Sequence, residues 1–285
     1  MTHVLLATFC LLPDGEVGGD LVVSALAERG IDARWASWDD PDVEWSTADL
    51  VAVRSTWDYH RRCADFLAWA RAVEQETRLL NGADVFAWNS DKAYLTELGD
   101  VPVVPTALLD DTTLVAGLGA AIERHGTVVV KPRTGAGGVG VVIAERTDDQ
   151  RLEGLVAGPW VVQPLVESVR TEGESSVYVF DARAVSQVDK LPGGDEIRVH
   201  ELYGGGSRTG VLAHESVALA EAALGAVEAR LGVLPPYARV DMMRYDGRLS
   251  VSELELIEPG LYLDVDPANA ERFADLVVRH VRALR

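Results

Sequence analysis

Three carboxylates in the last third of the chain have the types and spacing of a metal-binding set. Glu253 and Glu255 are two residues apart in a strand-like run, so both side chains project from one face of the strand. Asp241 lies in the preceding strand-like run, and the Asp246-Gly247 turn signal predicts a hairpin that brings it opposite them. Such hard oxygen ligands suit Mg²⁺ with nucleotide phosphates. The alternative is a solvent-facing acidic sheet surface.

A glycine-rich segment, Gly135 to Gly140, lies between the β-branched runs Val128 to Val130 and Val141 to Ile143, and Lys131 follows the first run. The glycines match G-x-G-x-x-G, but a dinucleotide site needs them to open a helix, and here they lead into a strand. A Walker A loop is excluded because no Gly-Lys-Ser/Thr follows. We therefore predict a hairpin lid whose amides cover phosphates. An ordinary glycine-rich hairpin is the alternative.

Lysine is scarce in this chain: of 26 Lys and Arg residues, only Lys92, Lys131 and Lys190 are lysines. A preference for arginine explains the scarcity but not the positions, since each lysine lies in a segment that can be placed at a phosphate site. Lys92 lies in the first turn of a helix predicted from Asn89 or Ser90, where the helix dipole favours anions. A phosphate facing this helix start would explain the lysine; a solvated surface lysine is the alternative.

The composition bounds the class of protein. A chain of 285 residues with 48% apolar residues suits a soluble globular fold of two or three subdomains. A net charge of −19 argues against nucleic acid or an anionic membrane as a partner. Cys10 and Cys63 form no disulfide framework or metal motif, so we expect idle or buried thiols in a reducing compartment. Val4 to Leu12 lacks the basic start of a signal peptide, and we predict a cytoplasmic protein.

Strands and helices alternate up to about residue 88, which predicts a mostly parallel sheet with ligand-facing loops at the carboxyl ends of its strands. The predicted strands are Val4 to Thr8, Ile31 to Trp35, Leu50 to Arg54 and Arg78 to Leu80, and the helices are Asp20 to Arg29 and Ala64 to Glu76. The loop after the third strand offers Arg54, Ser55 and Tyr59 to a small zwitterion. A capped turn with Trp57 packed inward is the alternative.

The rest of the chain predicts mixed helices and antiparallel strands. Trp160 to Val166 is a strand kinked at Pro164, whose main chain can bond a planar ligand edge. The other predicted helices are Leu114 to His125, Asp148 to Val156, Val217 to Leu231 and Glu271 to Leu284. The predicted antiparallel pair is Gly173 to Asp181 with Ala184 to Lys190, continued by Ile197 to Glu201 and followed by a mobile loop from Gly204 to Arg208.

Over residues 85 to 265 the order and spacing of these motifs resemble the ATP-grasp superfamily, particularly its glutathione synthetase and RimK-like carboxylate–amine ligases. The last metal ligand is commonly Asn in that family, whereas this chain has Glu-x-Glu. The loop at Trp57 and the run from Glu253 to Pro259 also resemble a smaller branch that includes the cycloserine-forming cyclo-ligase.

The resemblance implies a role for each motif. It implies ATP binding by Lys92, Lys131, the lid glycines Gly135, Gly137 and Gly138, the adenine-binding hinge from Gln163 to Val166, and Glu167 or Glu172 at the ribose. It implies a reaction centre lined by Lys190, Arg198 and Arg239, and Mg²⁺ ligands Asp241, Glu253 and Glu255. The substrate positions Arg54, Ser55 and Tyr59 come from the loop pattern instead.

The implied fold is α/β and α+β, an ATP-grasp fold preceded by an N-terminal βαβ domain. We expect domains at residues 1–88, 89–160 and 161–285. The implied reaction uses ATP and Mg²⁺ to activate a small-molecule, amino-acid carboxylate as an acyl phosphate that an amine attacks, giving an amide or a ring in antibiotic biosynthesis. Homodimerisation is typical of the family. A small-molecule kinase and a non-catalytic nucleotide sensor remain alternatives.

Overall fold

The alternating first part of the chain forms a parallel sheet. The computed structural model describes residues 2–283. Four strands, Thr2–Thr8 (β1), Ile31–Ser37 (β2), Leu50–Val53 (β3) and Arg78–Leu79 (β4), pair in the order β2-β1-β3-β4, all parallel. Helices Gly19–Glu28 (α1) and Cys63–Glu76 (α2) connect them, and a third helix, Ala83–Asn89 (α3), follows. Both sheet faces are covered, so β3 is buried along its whole length.

The second sheet contains the glycine-rich hairpin. Its strands are Ala107–Leu109 (β5), Val128–Pro132 (β6), Val142–Ala144 (β7) and Trp160–Pro164 (β8), in the order β5-β8-β6-β7. Helix Leu114–His125 (α4) packs over it and ends at Gly126, which has a φ of 75°. Because β6 and β7 are antiparallel neighbours, the predicted hairpin around Gly135 to Gly140 is present.

The third sheet is antiparallel and lies between two helices. Its strands are Glu174–Phe180 (β9), Arg183–Leu191 (β10), Gly206–Thr209 (β11), Tyr237–Tyr245 (β12) and Arg248–Glu255 (β13), in the order β11-β10-β9-β12-β13. Successive β9 side chains point to opposite faces. Val177 and Val179 pack towards helix His214–Leu231 (α5), whereas Tyr178 and Phe180 pack with helix Ala268–Arg282 (α6) and the first sheet. The mixed α/β class is confirmed; the three domain boundaries stay predictions.

Two predicted helices are shorter and of another type. The helix expected from Asn89 to Leu98 is a 3₁₀ helix, Lys92–Thr96, in which Asp91 accepts a hydrogen bond from the amide of Ala93 at 2.9 Å. The predicted caps Asn89 and Ser90 instead end helix α3. The segment predicted as a helix from Asp148 to Val156 contains only the 3₁₀ helix Gln150–Gly154. Each of these short helices begins after an aspartate, Asp91 or Asp149, whose side chain accepts a hydrogen bond from a backbone amide of the first turn.

The strand predicted at Ile197 to Glu201 is wrong. The edge strand is β11, so the predicted mobile loop from Gly204 to Arg208 is partly a strand, and Lys190 pairs with Ser207. Residues 193–205 instead fold back tightly on themselves. A Cβ on Gly205 would lie 2.0 Å from the carbonyl oxygen of Val199, which is closer than two paired strands approach each other. The predicted end of the last helix, Leu284, lies outside the described residues.

Two further observations bear on the expected class. Cys10 and Cys63 are free thiols, Cys10 exposed and Cys63 half-buried. Between Thr2 and Ala283 there is no helix with the length and apolar character that crossing a membrane requires.

Candidate functional site

A cavity of about 740 Å³ opens between the three sheets. We call it the central cavity. Loops of the first sheet, the lid, strand β8, strands β12 and β13 and the segment after β13 line it. It brings together most of the predicted site residues: Lys92, Lys131, Gly135, Gly137, Gly138, Gln163, Val166, Lys190, Arg198, Arg239, Asp241, Glu253, Glu255 and Tyr59.

Strands β12 and β13 place the three predicted metal ligands side by side. Asp241 pairs in register with Glu253, and Arg239 with Glu255. Asp241 accepts hydrogen bonds from Arg239 at 2.8 and 2.9 Å and from Ser176 at 2.6 Å. Burial alone would raise the pKa of Asp241, but Arg239 and Lys190 outweigh it and hold that pKa well below its usual range. Asp241 is therefore an anion bound by protein cations.

Glu253 and Glu255 are less enclosed than Asp241. Lys92 pairs with Glu253 at 2.8 Å, and Arg239 pairs with Glu255. Burial and the neighbouring carboxylates raise the pKa of Glu255 to about 7, against the effect of Arg239. Burial also tends to raise the pKa of Glu253, but Lys92 and Lys131 outweigh this effect and hold that pKa below its ordinary value.

Mg²⁺ fits this donor set by chemistry, because carboxylate oxygens from adjacent strands are its preferred ligands. The side chains of Glu253 and Glu255 are 31% and 26% exposed towards the cavity, whereas that of Asp241 is 3% exposed. Within residues 2–283 no three His, Cys, Asp or Glu side chains surround a common metal position. A cation would therefore displace Lys92 or Arg239 from these oxygens. The assignment of Asp241, Glu253 and Glu255 stays a prediction.

Lys190 forms an ion pair with Glu174, a residue that was not predicted from the sequence. Glu174 lies opposite it across β9 and β10, and their charged groups are 2.5 Å apart. Glu174 also accepts a hydrogen bond from Ser252 at 3.1 Å. Only the strand register reveals this pair, although Glu174 begins a strand-like run directly after Gly173.

Lys131 differs from the other two lysines. It lines the cavity beside the lid, and among the described residues no carboxylate lies within ion-pair distance of its ammonium. Burial lowers the pKa of Lys131, partly offset by Glu253. An anion in the cavity would restore the interaction that this ammonium lacks.

The lid packs against Arg198. Gly137 and Gly138 have φ values of 61° and 71°, a conformation that glycine adopts without strain. A Cβ on Gly138 would lie 3.2 Å from Cδ of Arg198. Arg198 in turn pairs with Glu196 at 2.5 Å and lies over the ring of Tyr203 at 3.5 Å. Arg198 lowers the pKa of Glu196 to about 2. The lid tip is therefore in contact with a fixed cation.

The predicted adenine-binding hinge, residues 163–166, lines the cavity, but the two glutamates predicted at the ribose do not. Gln163 and Val166 line it, and the Gln163 amide donates to the hydroxyl of Thr106 at 2.9 Å. Glu167 and Glu172 are exposed, do not line the cavity, and pair with arginines at 3.5 and 3.3 Å. Neither glutamate is placed to contact a ligand there in this conformation.

The predicted substrate loop lies only partly at the cavity. Tyr59 lines the cavity, whereas Arg54 and Ser55 are fully buried behind its wall. Arg54 donates to the carbonyl of Pro259 at 2.5 Å and to Glu16 at 3.2 Å. In residues 2–283 the Nε and Nη1 atoms of Arg54 and the hydroxyl of Ser55 have no hydrogen-bond partner. Asp58 starts the following 3₁₀ helix without a side-chain cap, and Trp57 reaches the cavity.

Besides Glu174, two further buried glutamates at the cavity, Glu16 and Glu258, were not identified from the sequence as site residues. Glu258 belongs to the acidic run that begins at Glu253, which is the one sequence signal that could have indicated it. Glu16 follows a loop of no recognisable pattern. Its role depends on contact with Leu261, 245 residues later in the chain, which no local pattern reveals.

Comparison with known proteins gives a consistent result. Residues 4–81 match the family described as D-cycloserine synthetase DcsG, N-terminal domain. The chain is 33% identical over 279 residues to the cycloserine biosynthesis protein DcsG of Streptomyces lavendulae, covering 92% of this chain and 93% of that protein. The crystal structure of D-cycloserine synthetase DcsG is similar at a TM-score of 0.85 and 32% identity, over 98% of this chain and 99% of that one. A D-alanine–D-alanine ligase from Bacillus anthracis shares the fold, with a TM-score of 0.71 at 14% identity, over 100% of this chain and 98% of that one.

Proposed function

The chain belongs to the cycloserine-synthetase branch of the ATP-grasp ligases, and from this premise we propose that it activates an amino-acid carboxylate as an acyl phosphate. It is an ATP-dependent carboxylate–amine ligase that acts on small molecules. We propose further that the donor is an amino acid, that the residues named below bind ATP, Mg²⁺ and the substrate, and that the product is a ring or an amide in antibiotic biosynthesis.

The unpaired ammonium of Lys131 carries this proposal. It lies in the cavity between the lid and strand β8, where residues 163–166 offer main-chain groups to an adenine edge. Lys92, which donates to the carbonyl oxygen of Gly135 at 2.9 Å, lies on the other side of the lid. Two ammonium groups and the lid amides then surround the ATP phosphates, which are anions that protein cations and oriented amides bind.

Glu253, Glu255 and Asp241 are the residues that would hold Mg²⁺. When bound, Mg²⁺ neutralises charge on the transferring phosphate oxygens. The protein's own part is to release Lys92 from Glu253 so that its ammonium can contact phosphate. Both residues of this 2.8 Å ion pair line the cavity, so a ligand bound there can compete for either of them.

Arg239 and Arg198 would stabilise charge on the substrate. In the reaction, a carboxylate oxygen takes the γ-phosphoryl group of ATP and ADP leaves. The amine nitrogen then forms a bond to the acyl carbon, the bond from that carbon to the phosphate oxygen breaks, and the nitrogen loses a proton. Fixed guanidinium groups stabilise the oxygen that becomes negative in between. The contact of the lid with Arg198 would keep water away from the acyl phosphate.

The test is phosphate release from ATP and Mg²⁺ with a panel of D- and L-amino acids and hydroxylamine as surrogate amine. The proposal expects ADP, phosphate and a hydroxamate from a subset of donors. ADP without phosphate or hydroxamate would identify a kinase. ATP binding without turnover by any donor would contradict the proposed activation of an amino-acid carboxylate.

A further inference from the structure

Glu258 is a buried carboxylate at the cavity wall without a partner. It is 6% exposed and lines the central cavity. Apart from its own backbone amide, no group within residues 2–283 forms a hydrogen bond or an ion pair with this carboxylate. The other buried carboxylates of the cavity have cations: Arg54 for Glu16, Lys190 for Glu174 and Arg239 for Asp241.

The backbone around Glu258 is held in place from the first sheet. The indole of Trp57 donates to the carbonyl oxygen of Glu258 at 3.2 Å, and Arg54 donates to that of Pro259. The amide of Leu261 donates to Glu16 at 2.6 Å. Three hydrogen bonds, to Glu258, Pro259 and Leu261, therefore fix the backbone that carries the Glu258 side chain.

A fixed, buried carboxylate is unfavourable as an anion unless a cation reaches it. Burial, and then the neighbouring Glu255, raise the pKa of Glu258 well above its ordinary value, against the effect of Lys92. Trp57 and Tyr59 also line this part of the cavity, and aromatic faces favour ammonium groups. The site therefore has the features of an ammonium-binding pocket: an uncompensated carboxylate, aromatic walls and access from the cavity.

We propose that Glu258 binds the ammonium group of the amino-acid substrate while the carboxylate of the same molecule is directed towards Arg239. This inference rests on the proposed function and specifies its donor: a zwitterion with a free amino group, not a simple carboxylic acid. Glu255 pairs with Arg239 and acts electrostatically on Glu258, so the two ends of a small zwitterion have neighbouring binding groups. Glu258 would therefore determine specificity for the amino group of the carboxylate donor.

The test compares donors that differ only by the amino group. Serine and 3-hydroxypropanoate, and alanine and propanoate, are assayed by hydroxamate formation, followed by the best amino acid of the panel and its deamino analogue. Hydroxylamine is neutral at pH 7 and needs no ammonium site. A charged hydrogen bond contributes about 1.5–3 kcal/mol, so Glu258→Gln should lower the kcat/KM preference for the amino acid about 10- to 100-fold. The change should lie mainly in KM for the amino acid, and the rate with the deamino analogue should not fall.

Two further variants control for a structural effect. Glu258→Asp keeps the charge and should retain an intermediate preference. Asp264→Asn removes an exposed carboxylate at the cavity rim and should leave the preference unchanged. An unchanged preference in Glu258→Gln, with hydroxamate still formed by the wild type, overturns this inference alone. No hydroxamate from the wild type with any donor overturns the proposed function, and this inference with it.

Discussion

The ammonium of Lys92 lies 2.8 Å from Oε1 of Glu253, and this ion pair joins the nucleotide side of the cavity to its carboxylate side. The same ammonium donates to the carbonyl of Gly135, so lid, lysine and carboxylate strand form one connected unit. A ligand that draws Lys92 away frees Glu253 at the same time. We therefore expect phosphate binding and cation binding to be coupled through this pair.

Glu253→Gln should raise the Mg²⁺ concentration needed for half-maximal turnover about tenfold or more, because the amide is a neutral and weaker ligand than the carboxylate. Titration of Mg²⁺ at saturating ATP measures this. Glu215→Gln is the matched control, since Glu215 is exposed and pairs with Arg244 on the outside of the third sheet. An unchanged Mg²⁺ requirement in Glu253→Gln would remove Glu253 from the metal site.

Lys131→Ala should lower kcat/KM for ATP about 10²- to 10³-fold, the usual cost of losing a group that stabilises developing charge. Its free energy of unfolding should change by less than about 1 kcal/mol, since no carboxylate loses a partner. Lys131→Arg should recover only part of the activity, because a planar guanidinium does not reproduce a compact ammonium. Turnover rates and denaturant unfolding of the same preparations measure both quantities. Full activity in Lys131→Ala would contradict the ATP assignment.

Gly137→Ala and Gly138→Ala form a matched pair in the lid. Both force alanine into a left-handed conformation, which costs about 1–2 kcal/mol. In residues 2–283 nothing lies within 4 Å of a Cβ at Gly137, whereas one at Gly138 meets Arg198 and Tyr203 at 3.2 and 3.3 Å. We expect KM for ATP to rise at least threefold more in Gly138→Ala than in Gly137→Ala. Equal values would show that the contact with Arg198 does not matter for nucleotide binding.

Arg54→Ala should lower the free energy of unfolding by about 3–5 kcal/mol, because it leaves the buried Glu16 without its cation. The same guanidinium lies 4.6 Å from the ring centre of Phe273, so packing is lost as well. Arg71→Ala, which breaks an exposed pair with Asp84, should cost no more than about 1 kcal/mol. Urea unfolding followed by tryptophan fluorescence compares them. Similar costs for the two variants would show that Arg54 is not a structural ion-pair partner.

Glu258→Gln should become more stable relative to the wild type as the pH rises. Because the folded state raises the pKa of Glu258, the wild type binds a proton more tightly when folded. This contribution is complete below the unfolded pKa of about 4.5 and is lost as the pH rises towards the folded value. The melting temperature of Glu258→Gln minus that of the wild type should therefore be larger at pH 8 than at pH 5. A pH-independent difference in Glu258→Gln would argue against a buried, unpaired carboxylate.

The sequence predicted the elements whose signals are local. The hairpin around Gly135 to Gly140, the strand pair with Asp241 and Glu253, and the parallel first sheet follow from side-chain periodicity and turn residues, and the structure confirms them. The 3₁₀ helix at Lys92 and the edge strand β11 were missed, because tertiary contacts overrode weak local preferences there.

What the sequence by itself determined was the fold class, the family and the set of chemical groups, because glycine spacing, three lysines and an alternating acidic strand are readable in order along the chain. Only the tertiary structure decided which groups reach the cavity. Arg54 lies behind its wall and Glu258 at its surface because the first sheet and the segment after β13, about 200 residues apart in sequence, fold against each other. Burial and ion pairing depend on such distant contacts, so no local pattern could separate the unpaired Lys131 and Glu258 from their paired neighbours.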